Sequence, residues 1–300
     1  MTTALETSIR ETIFNAFPHE VVKMPLNGPD NIPSPHYGLC FENASKRSDW
    51  CRATVKKHYR PHTRNDLATI CETVAKGIDL PLDKISISCA WKNGSGHRIA
   101  VQPTDDYRRE ICRGDNIFPK FIVRANYGGA FVASVGMYRD LCSNMQMMRR
   151  VEHTTVHLRH CSNFQENFDS TVEQWQYLAA KFDNIVEAAQ QLNATRVSIA
   201  EFYDSLYPEP SNQTKRSRNS HRCKLESMFG RLVDERMKAD KPGTTDTKTA
   251  TLWELVNSVT GFVQHDCTRR GNPTADARAF AAVDDSQCDK AWDLAFEMAG

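Results

Sequence analysis

Residues 118–137 read FPKFIVRANYGGAFVASVGM, and their composition changes sharply at the centre. The flanking runs Phe118–Ala125 and Ala130–Met137 are rich in apolar, aromatic and β-branched residues, whereas the interval NYGG at 126–129 contains an asparagine and two glycines. Aromatic and β-branched residues favour strands, and a short interval rich in Asn and Gly is typical of a turn. This stretch therefore predicts two strands separated by a turn.

The strand pattern continues towards the N-terminus. The segments His36–Phe41 and Ala53–Tyr59 have the length and composition of short strands, and Asp66–Lys76 places its apolar residues at helical spacing. Apolar residues alternate with small ones in Ile85–Cys89, and the turn-forming sequence NGSG at 93–96 leads into Arg98–Val101. That order predicts a β-hairpin, so the first half of the chain is expected to be rich in strands.

The second half changes to a helical period. From Phe164 to Leu192, apolar residues recur every three or four positions, with Trp175 near the centre, which predicts one long amphipathic helix. Further helices are predicted over Ser198–Leu206, Lys224–Met237, Thr251–Cys267 and Gln287–Met298, with polar loops at Pro208–Arg222 and Lys238–Thr249. Strands first and helices afterwards indicate an α+β fold, with an antiparallel or mixed sheet in the N-terminal half followed by the long helix and a helical C-terminal part.

Three regions are predicted along the chain. Pro25–Pro35 contains four prolines, two asparagines and a glycine, which favours a linker over a helix or a strand. Residues 1–35 are therefore interpreted as an N-terminal segment with a proline-rich linker. Residues 36–207 are interpreted as an α+β core that includes the long helix, and 208–300 as a helical C-terminal region.

Charge and cysteine content narrow the function classes. Lys and Arg number 38 and Asp and Glu 37, for a formal net charge of +1, so any binding to nucleic acid must be local. No apolar run approaches the roughly 20 residues that cross a bilayer, and residues 1–14 lack a continuous apolar signal core. We therefore expect a cytoplasmic protein without membrane contact, whose ten cysteines remain reduced thiols.

A cluster of basic and aromatic residues follows the second predicted strand. Seven cationic, titratable or aromatic groups lie within nine residues: Lys56, Lys57, His58, Tyr59, Arg60, His62 and Arg64. Cationic groups interleaved with a stacking ring are the combination that binds single-stranded nucleic acid. Other basic residues that extend this predicted nucleic-acid surface are Arg149, Arg150, Lys215, Arg216 and Arg218. The ordinary alternative is a solvated charged surface.

The densest group of histidines is His153, His157 and His160, next to Cys161. These are ligand types for zinc and other transition metals. In a strand, however, His157 and His160 point to opposite faces, and in a helix no HExxH glutamate accompanies them. Structural or surface histidines are therefore preferred, and no metal site or cofactor is predicted.

Nucleophile and phosphate-binding motifs of known spacing are missing from the sequence. No GxSxG or GxxxxGK pattern occurs, and no CxxC pair indicates a zinc knuckle. Cys142 is interpreted as a small buried residue. No catalytic residue is predicted, and a binding protein is favoured over an enzyme.

Several short elements resemble one family, and they are spread over most of the chain. They are HYGL at 36–39, YRP at 59–61, Asn126 with Gly128, RDLCSN at 139–144, Arg159 with His160, and Trp253, Asn257, Thr260 and His265 within 251–265. The chain resembles phage- and plasmid-borne proteins, also found in prophages, that are classed as a domain of unknown function. The resemblance implies the biology of mobile elements and assigns no chemistry.

Two departures from the family pattern concern possible catalysis. Family members carry Asn-Ser-His-Asp-Gly-Ser in the turn where this chain has Asn126-Tyr127-Gly128-Gly129-Ala130, so the His and Asp side chains are missing here. Asn144 is followed by Met145 where a glycine is common in the family. The resemblance therefore does not imply a general base or a metal ligand at this turn.

The leading hypothesis is a phage protein that binds nucleic acid without catalysis, with single-stranded DNA in replication or recombination as the expected partner. The order of elements also loosely resembles the core of phage single-strand annealing proteins, an analogy of fold that does not establish function. A different class of function is a host-interaction or regulatory protein that acts through a protein surface and binds host or phage proteins. A metal-dependent nuclease that uses the histidine group is the weaker alternative. A homo-oligomer is compatible with the binding hypotheses.

Overall fold

The computed structural model describes residues 4–46, 49–77, 85–91, 96–103, 107–139, 145–146, 155–160, 164–169, 177, 181–209, 214–238, 246–267 and 285–300. It confirms the α+β class. The strands are β1 (Val21–Asn27), β2 (Pro33–Phe41), β3 (Trp50–Lys56), β4 (Ile85–Trp91), β5 (Gly96–Pro103), β6 (Arg109–Cys112), β7 (Asp115–Asn126), β8 (Ala130–Arg139), β9 (Met145–Gln146), β10 (Thr155–Arg159), β11 (Arg196–Ser198) and β12 (Thr249–Thr251). The helices are α1 (Ala4–Ala16), α2 (Arg64–Gly77), α3 (Phe182–Ala194), α4 (Ile199–Leu206), α5 (Lys215–Lys238), α6 (Leu252–Gly261) and α7 (Ser286–Ala299).

The chain divides into two units, and each is built from separate stretches of sequence. The first unit spans 1–106, 120–135 and 153–181, and the second spans 107–119, 136–152 and 182–300. Strands β7 and β8 contribute residues to both units. The region boundaries that the sequence predicts at residues 35 and 207 stay a prediction.

The first unit contains an antiparallel three-stranded sheet in the order β1-β2-β3. Alternate residues of these strands face inward and pack with a ring from the β7–β8 turn, in a core of Val21, Leu39, Cys51, Val55 and Tyr127. A larger sheet has the order β10-β8-β7-β5-β4. Helices α1 and α2 pack together, and the ion pair between Arg10 and Glu72, at 2.9 Å, links them.

The proline-rich segment at 25–35 is part of a hairpin, so the prediction of a linker is wrong. Strand β1 continues through Pro25, which pairs with Tyr37, and Asn27 pairs with Pro33. Pairing of β2 with β3 begins only at His36, opposite Lys56. A proline lacks an N–H donor, but it is tolerated in an edge strand or where a strand begins, and these positions meet that condition.

The predicted continuous helix from Phe164 to Leu192 is also wrong. Residues 164–169 are helical, Tyr177 lies in a turn with 67% of its surface exposed, and α3 begins at Phe182. The apolar residues before this turn belong to the first unit, and those after it belong to the second. The helical spacing in the sequence is therefore shared by two separate hydrophobic cores. Trp175, the predicted centre of the helix, lies outside the described residues.

The second unit is organised around α6, and all ten of its residues are buried. Helices α3, α5 and α7 pack against α6. A capping box between Thr251 and Glu254 fixes its N-terminus, because each side chain accepts from the other residue's backbone N–H. A π-helical turn at Phe262–Asp266 follows it directly. The helix predicted at 251–267 is therefore confirmed, and it consists of α6 and the π-helical turn.

A buried ionic cluster joins the ends of β7 and β8 to α5 and α6 within the second unit. Arg139 donates to both carboxylate oxygens of Asp115, at 2.6 and 2.7 Å, and to Glu235 at 2.7 Å. The indole Nε1–H of Trp253 donates to Asp115 at 2.8 Å. Arg139 and Trp253 belong to the family-like elements in the sequence, and their common partner here is Asp115. The cluster therefore gives these two residues a structural role.

Among the described residues, the structure forms no disulfide, and eight of the cysteines fall within them. Cys142 and Cys161 lie outside. No helix in the described ranges combines the length and the apolar character that a bilayer span requires.

Candidate functional site

An open cleft of about 410 Å³ lies in the first unit, at the end of β3. Its lining residues come from β3 and the following turn, from the β7–β8 turn and from the end of β10: Thr54, Val55, Lys56, His58, Tyr59, Gly128, Gly129, Arg159 and His160. The side chains of Lys56, His58 and Arg159 are exposed. Cationic and titratable groups therefore surround the opening.

The ring of Tyr59 forms part of the cleft's aromatic wall. Its hydroxyl accepts the backbone N–H of Gly128 at 3.3 Å, and its ring centroid lies 5.0 Å from that of His160. Burial raises the pKa of Tyr59 well above its ordinary value, and the Gly128 N–H acts in the opposite direction. Tyr59 is therefore a neutral phenol at physiological pH, held by the β7–β8 turn with part of its ring at the cleft.

Three histidines from distant positions in the sequence meet beside the cleft. His62 Nε2 lies 2.7 Å from His97 Nδ1, so one of these rings donates a hydrogen bond to the other. The His62 ring stacks on Tyr127 at 4.4 Å, and its centroid is 5.1 Å from that of His160. His160 stacks in turn on Phe164, with 5.1 Å between the centroids and 4° between the planes. We call His62, His97 and His160 the histidine cluster.

All three rings of the histidine cluster are held in the neutral form. Burial lowers the pKa of His62 well below 6.5, and the neighbouring His97 and His160 rings add to this effect. Burial and then Arg98 lower the pKa of His97 to about 3. Burial also lowers the pKa of His160 to about 4, although its hydrogen bond to the Arg60 carbonyl opposes the shift. A protonated ring in this packed interior is therefore unfavourable at neutral pH.

The hydrogen bonding of His160 defines its tautomer. The carbonyl oxygen of Arg60, 3.1 Å from His160 Nδ1, can only accept, so Nδ1 carries the proton and Nε2 carries a lone pair. Neither His160 Nε2 nor His62 Nδ1 has a hydrogen-bond partner within the described residues. Both of these nitrogens are buried, so neither is open to solvent at the cleft.

The structure separates the predicted basic residues into two groups. Lys56 and Lys57 are exposed at the end of β3 and in the turn that follows, and Lys56 lines the cleft. Arg60 instead lies over the Phe164 ring at 5.1 Å and donates to Gln165 at 2.8 Å. It also lies 3.8 Å from the Asp66 carboxylate. Arg60 is therefore engaged in holding the chain together.

Arg64 has a similar structural role. Its Nε donates to Glu20 at 2.8 Å, and its guanidinium lies over the Phe14 ring at 4.8 Å. It also donates to the backbone carbonyls of Phe17 and Pro18. These contacts connect α2 to the segment around α1. The prediction that Arg60 and Arg64 line a groove is therefore not matched by the positions of their guanidinium groups.

The basic residues predicted in a loop after 208 lie on a helix instead. Lys215, Arg216 and Arg218 are exposed in the first turn of α5, in the second unit. A pocket of about 460 Å³ lies beside them, lined by Tyr207, Thr214, Arg216, Ser217, Ser220, His221 and Lys224. Arg149 and Arg150 lie outside the described residues.

The histidine group predicted from sequence spacing does not come together. His157 is exposed on β10 and His160, the residue after this strand, is buried, whereas His153 and Cys161 lie outside the described residues. No set of three or more His, Cys, Asp or Glu side chains in the described ranges is arranged to hold a metal ion. The contacts of His160 are to His62, Tyr59 and Phe164 instead.

Sequence reasoning included His62 in the basic and aromatic cluster at 56–64 but did not identify His97 and Arg159 as site residues. His62 follows the family-like YRP element directly, and Arg159 and His160 form another such element. Those short elements and the basic and aromatic cluster at 56–64 were the sequence signals for the site. His97 lies in β5, and it comes close to His62 only when β5 pairs with its neighbouring strands.

Comparison with known proteins gives a family but no activity. The family described as "Domain of unknown function (DUF932)" matches residues 99–284. No curated protein and no solved structure matches the chain. The matched range includes Gly128, Gly129, Arg159 and His160 of the cleft, together with Arg139 and Trp253 of the buried ionic cluster.

Proposed function

This chain belongs to the DUF932 family, and because that membership assigns no activity, we propose from the cleft itself that the protein binds single-stranded nucleic acid. The observation that carries this proposal is the combination of an aromatic wall with a cationic rim. Tyr59 and His160 supply the rings, and Lys56, His58 and Arg159 surround them. Bases have a flat face that stacks on such rings, and phosphates are attracted to the cations.

The neutrality of the histidine cluster supports this proposal. A protonated imidazole would make the wall of the cleft polar, whereas a neutral ring packs against a base in the same way as the ring of an aromatic residue. The biological setting that we propose is the replication or recombination of a mobile element, in which single-stranded DNA is exposed.

The double substitution Lys56→Ala and Arg159→Ala tests the proposal. Each phosphate contact on a single strand contributes about 0.7 to the slope of log affinity against log salt concentration. We expect the double variant to bind dT12 more weakly and to show a slope smaller by about 1.4. Fluorescence anisotropy at several salt concentrations measures both quantities.

A matched control removes the same charge elsewhere. Arg113 and Lys290 are exposed residues of the second unit, so the variant Arg113→Ala and Lys290→Ala should keep the slope of the unmodified protein. Equal binding by the Lys56/Arg159 variant and by this control would show that the cleft is not the binding site. Salt-independent binding by the unmodified protein would contradict the proposal altogether and favour a surface for protein partners.

The basic turn of α5 forms a second candidate surface. Lys215, Arg216 and Arg218 carry three exposed positive charges, and no acidic residue lies in the first turn of the helix. If this surface contacts phosphates, replacing all three residues with alanine should reduce the salt slope by about 2 for a long single strand. Helix content, measured by circular dichroism, should be retained, because exposed charges contribute only about 0.5 kcal/mol each to stability. An unchanged slope would restrict binding to the first unit.

A further inference from the structure

Strand β3 carries an exposed tryptophan at the opposite end from the cleft. Trp50 is the first residue of β3, and 38% of its surface is exposed. Large aromatic side chains are highly buried on average, so an indole with this exposure on a sheet is uncommon. Beside it lies an open depression of about 500 Å³, lined by Ala44, Ser45, Lys46 and Trp50.

The indole of Trp50 lies against the backbone of the neighbouring strand. A Cβ atom at Gly38 would be 2.4 Å from Trp50 Cζ3 and 3.2 Å from Leu26 Cδ2, so only glycine leaves room for the ring. Gly38 is also part of the family-like HYGL element. The indole therefore has a defined support on one side while part of its surface faces solvent. A ring held in this way is suited to stacking on a planar ligand.

The exposed face of β3 connects Trp50 with the cleft. Cys51, Ala53 and Val55 point inward to the core, whereas Trp50, Thr54 and Lys56 are exposed. Thr54 pairs with Gly38, and both Thr54 and Lys56 line the cleft. From Trp50 to Lys56 the strand extends about 20 Å at roughly 3.3 Å per residue. That length corresponds to about six nucleotides at a stacked rise of 3.4 Å.

Charge along this face is compatible with a nucleic-acid backbone. Lys46 is exposed at the Trp50 end and Lys56 at the cleft end. The nearby acidic residue Asp49 is anchored locally, because its carboxylate accepts the backbone N–H groups of Ser45 and Lys46 at 2.9 and 3.1 Å. Trp50 and Tyr59 thus lie near opposite ends of β3, with Lys46 before the strand and Lys56 as its last residue.

We propose that Trp50 is a second base-stacking site, and that a single strand of nucleic acid lies along the exposed face of β3 from Trp50 to the cleft. This inference rests on the proposed function, and it adds the position and the length of the bound single strand. The ligand is single-stranded, because the bases of a duplex are stacked on one another and do not offer their faces to the indole.

The test compares three substitutions of Trp50 in the full chain. Loss of one stacked base reduces affinity by about 5-fold to about 150-fold. We expect Trp50→Ala and Trp50→Leu to weaken dT12 binding within that range and Trp50→Phe to retain most of the affinity, because phenylalanine keeps an aromatic face. Binding to a 12-base-pair duplex should change little in all three variants. Trp50→Leu and Trp50→Phe both keep an apolar side chain beside Leu26, so comparing these two separates stacking from folding.

Each outcome distinguishes this inference from the proposed function. If the Lys56/Arg159 variant loses affinity while all Trp50 variants bind dT12 normally, the cleft binds nucleic acid and the Trp50 site is wrong. If the leucine and phenylalanine variants are weakened equally, Trp50 does not act by stacking. If the unmodified protein does not bind dT12, both proposals are wrong. Weaker dT12 binding by Trp50→Leu, together with nearly full affinity of Trp50→Phe, supports the proposed binding of a single strand along β3.

Discussion

Lowering the pH from 7 to 5 is expected to destabilise the first unit by about 4 kcal/mol through His97 and His160, because both rings are buried in the neutral form. In the unfolded chain a histidine has a pKa of about 6.5, whereas in the folded protein burial lowers the pKa of His97 to about 3 and of His160 to about 4. The shift of His62 has the same direction. Between these values the unfolded state binds more protons, so stability is fully present above pH 6.5 and is lost as the pH falls.

The size of this effect follows from the protons that His97 and His160 take up on unfolding, and His62 acts in the same direction. Each histidine contributes a slope of up to about 1.4 kcal/mol per pH unit, which amounts to about 2 kcal/mol per ring at pH 5. A typical domain is stable by about 5–15 kcal/mol, so a large part of the stability of the first unit is expected to be lost by pH 5. Urea titrations at pH 7, 6 and 5 measure the change.

Two variants separate the histidine cluster from other titrating groups. His160→Phe keeps a ring next to Phe164 and removes one titrating group, so its slope between pH 6 and 5 should fall by up to about 1.4 kcal/mol per pH unit. His157→Ala changes an exposed histidine of β10 outside the histidine cluster and serves as the control. A stability that is independent of pH between 7 and 5 would show that the buried rings are not neutral.

Replacing Asp115 with alanine is expected to destabilise the second unit by about 3–5 kcal/mol, because it breaks a buried ion pair on one side only. Asp115 is fully buried and accepts from Arg139 and Trp253. The alanine variant removes one carboxylate partner of the Arg139 guanidinium and leaves the indole N–H without this acceptor. Thermal or urea unfolding measures the loss.

The matched control is an ion pair at the surface of the same unit. Asp183 has 73% of its side chain exposed and lies 4.0 Å from Arg109. Exposed pairs contribute about 0–1 kcal/mol, so Asp183→Ala should have little effect. Asp115→Asn adds a second comparison, because it keeps an acceptor for Trp253 while it removes the charge. Equal stability of Asp115→Ala and Asp183→Ala would mean that the buried cluster does not stabilise the fold.

Local patterns explain which elements could be predicted from the sequence. The hairpin at 85–103 and the strands around 118–137 combine strand-forming residues with turn residues, and both signals lie within a few positions of each other. Strand β2 was predicted only from His36 onward, because prolines are a strong local signal against strands. The first turns of α5 were predicted as a loop because Lys215–Arg222 has no apolar period, whereas buried residues such as Met228 and Leu232 follow only later in the helix.

The sequence by itself determined the α+β class, the order of strands before helices and the presence of exposed lysines at the end of β3. Hydrophobic period and turn chemistry are local properties, and they are sufficient for these features. Only the tertiary structure decided which of the predicted basic residues lie at the cleft. Arg60 and Arg64 instead bind partners such as Gln165 and Glu20. The tertiary structure also brought His62, His97 and His160 together. Contacts between residues 35 to 105 positions apart depend on how strands and helices pack, and no local pattern encodes that packing.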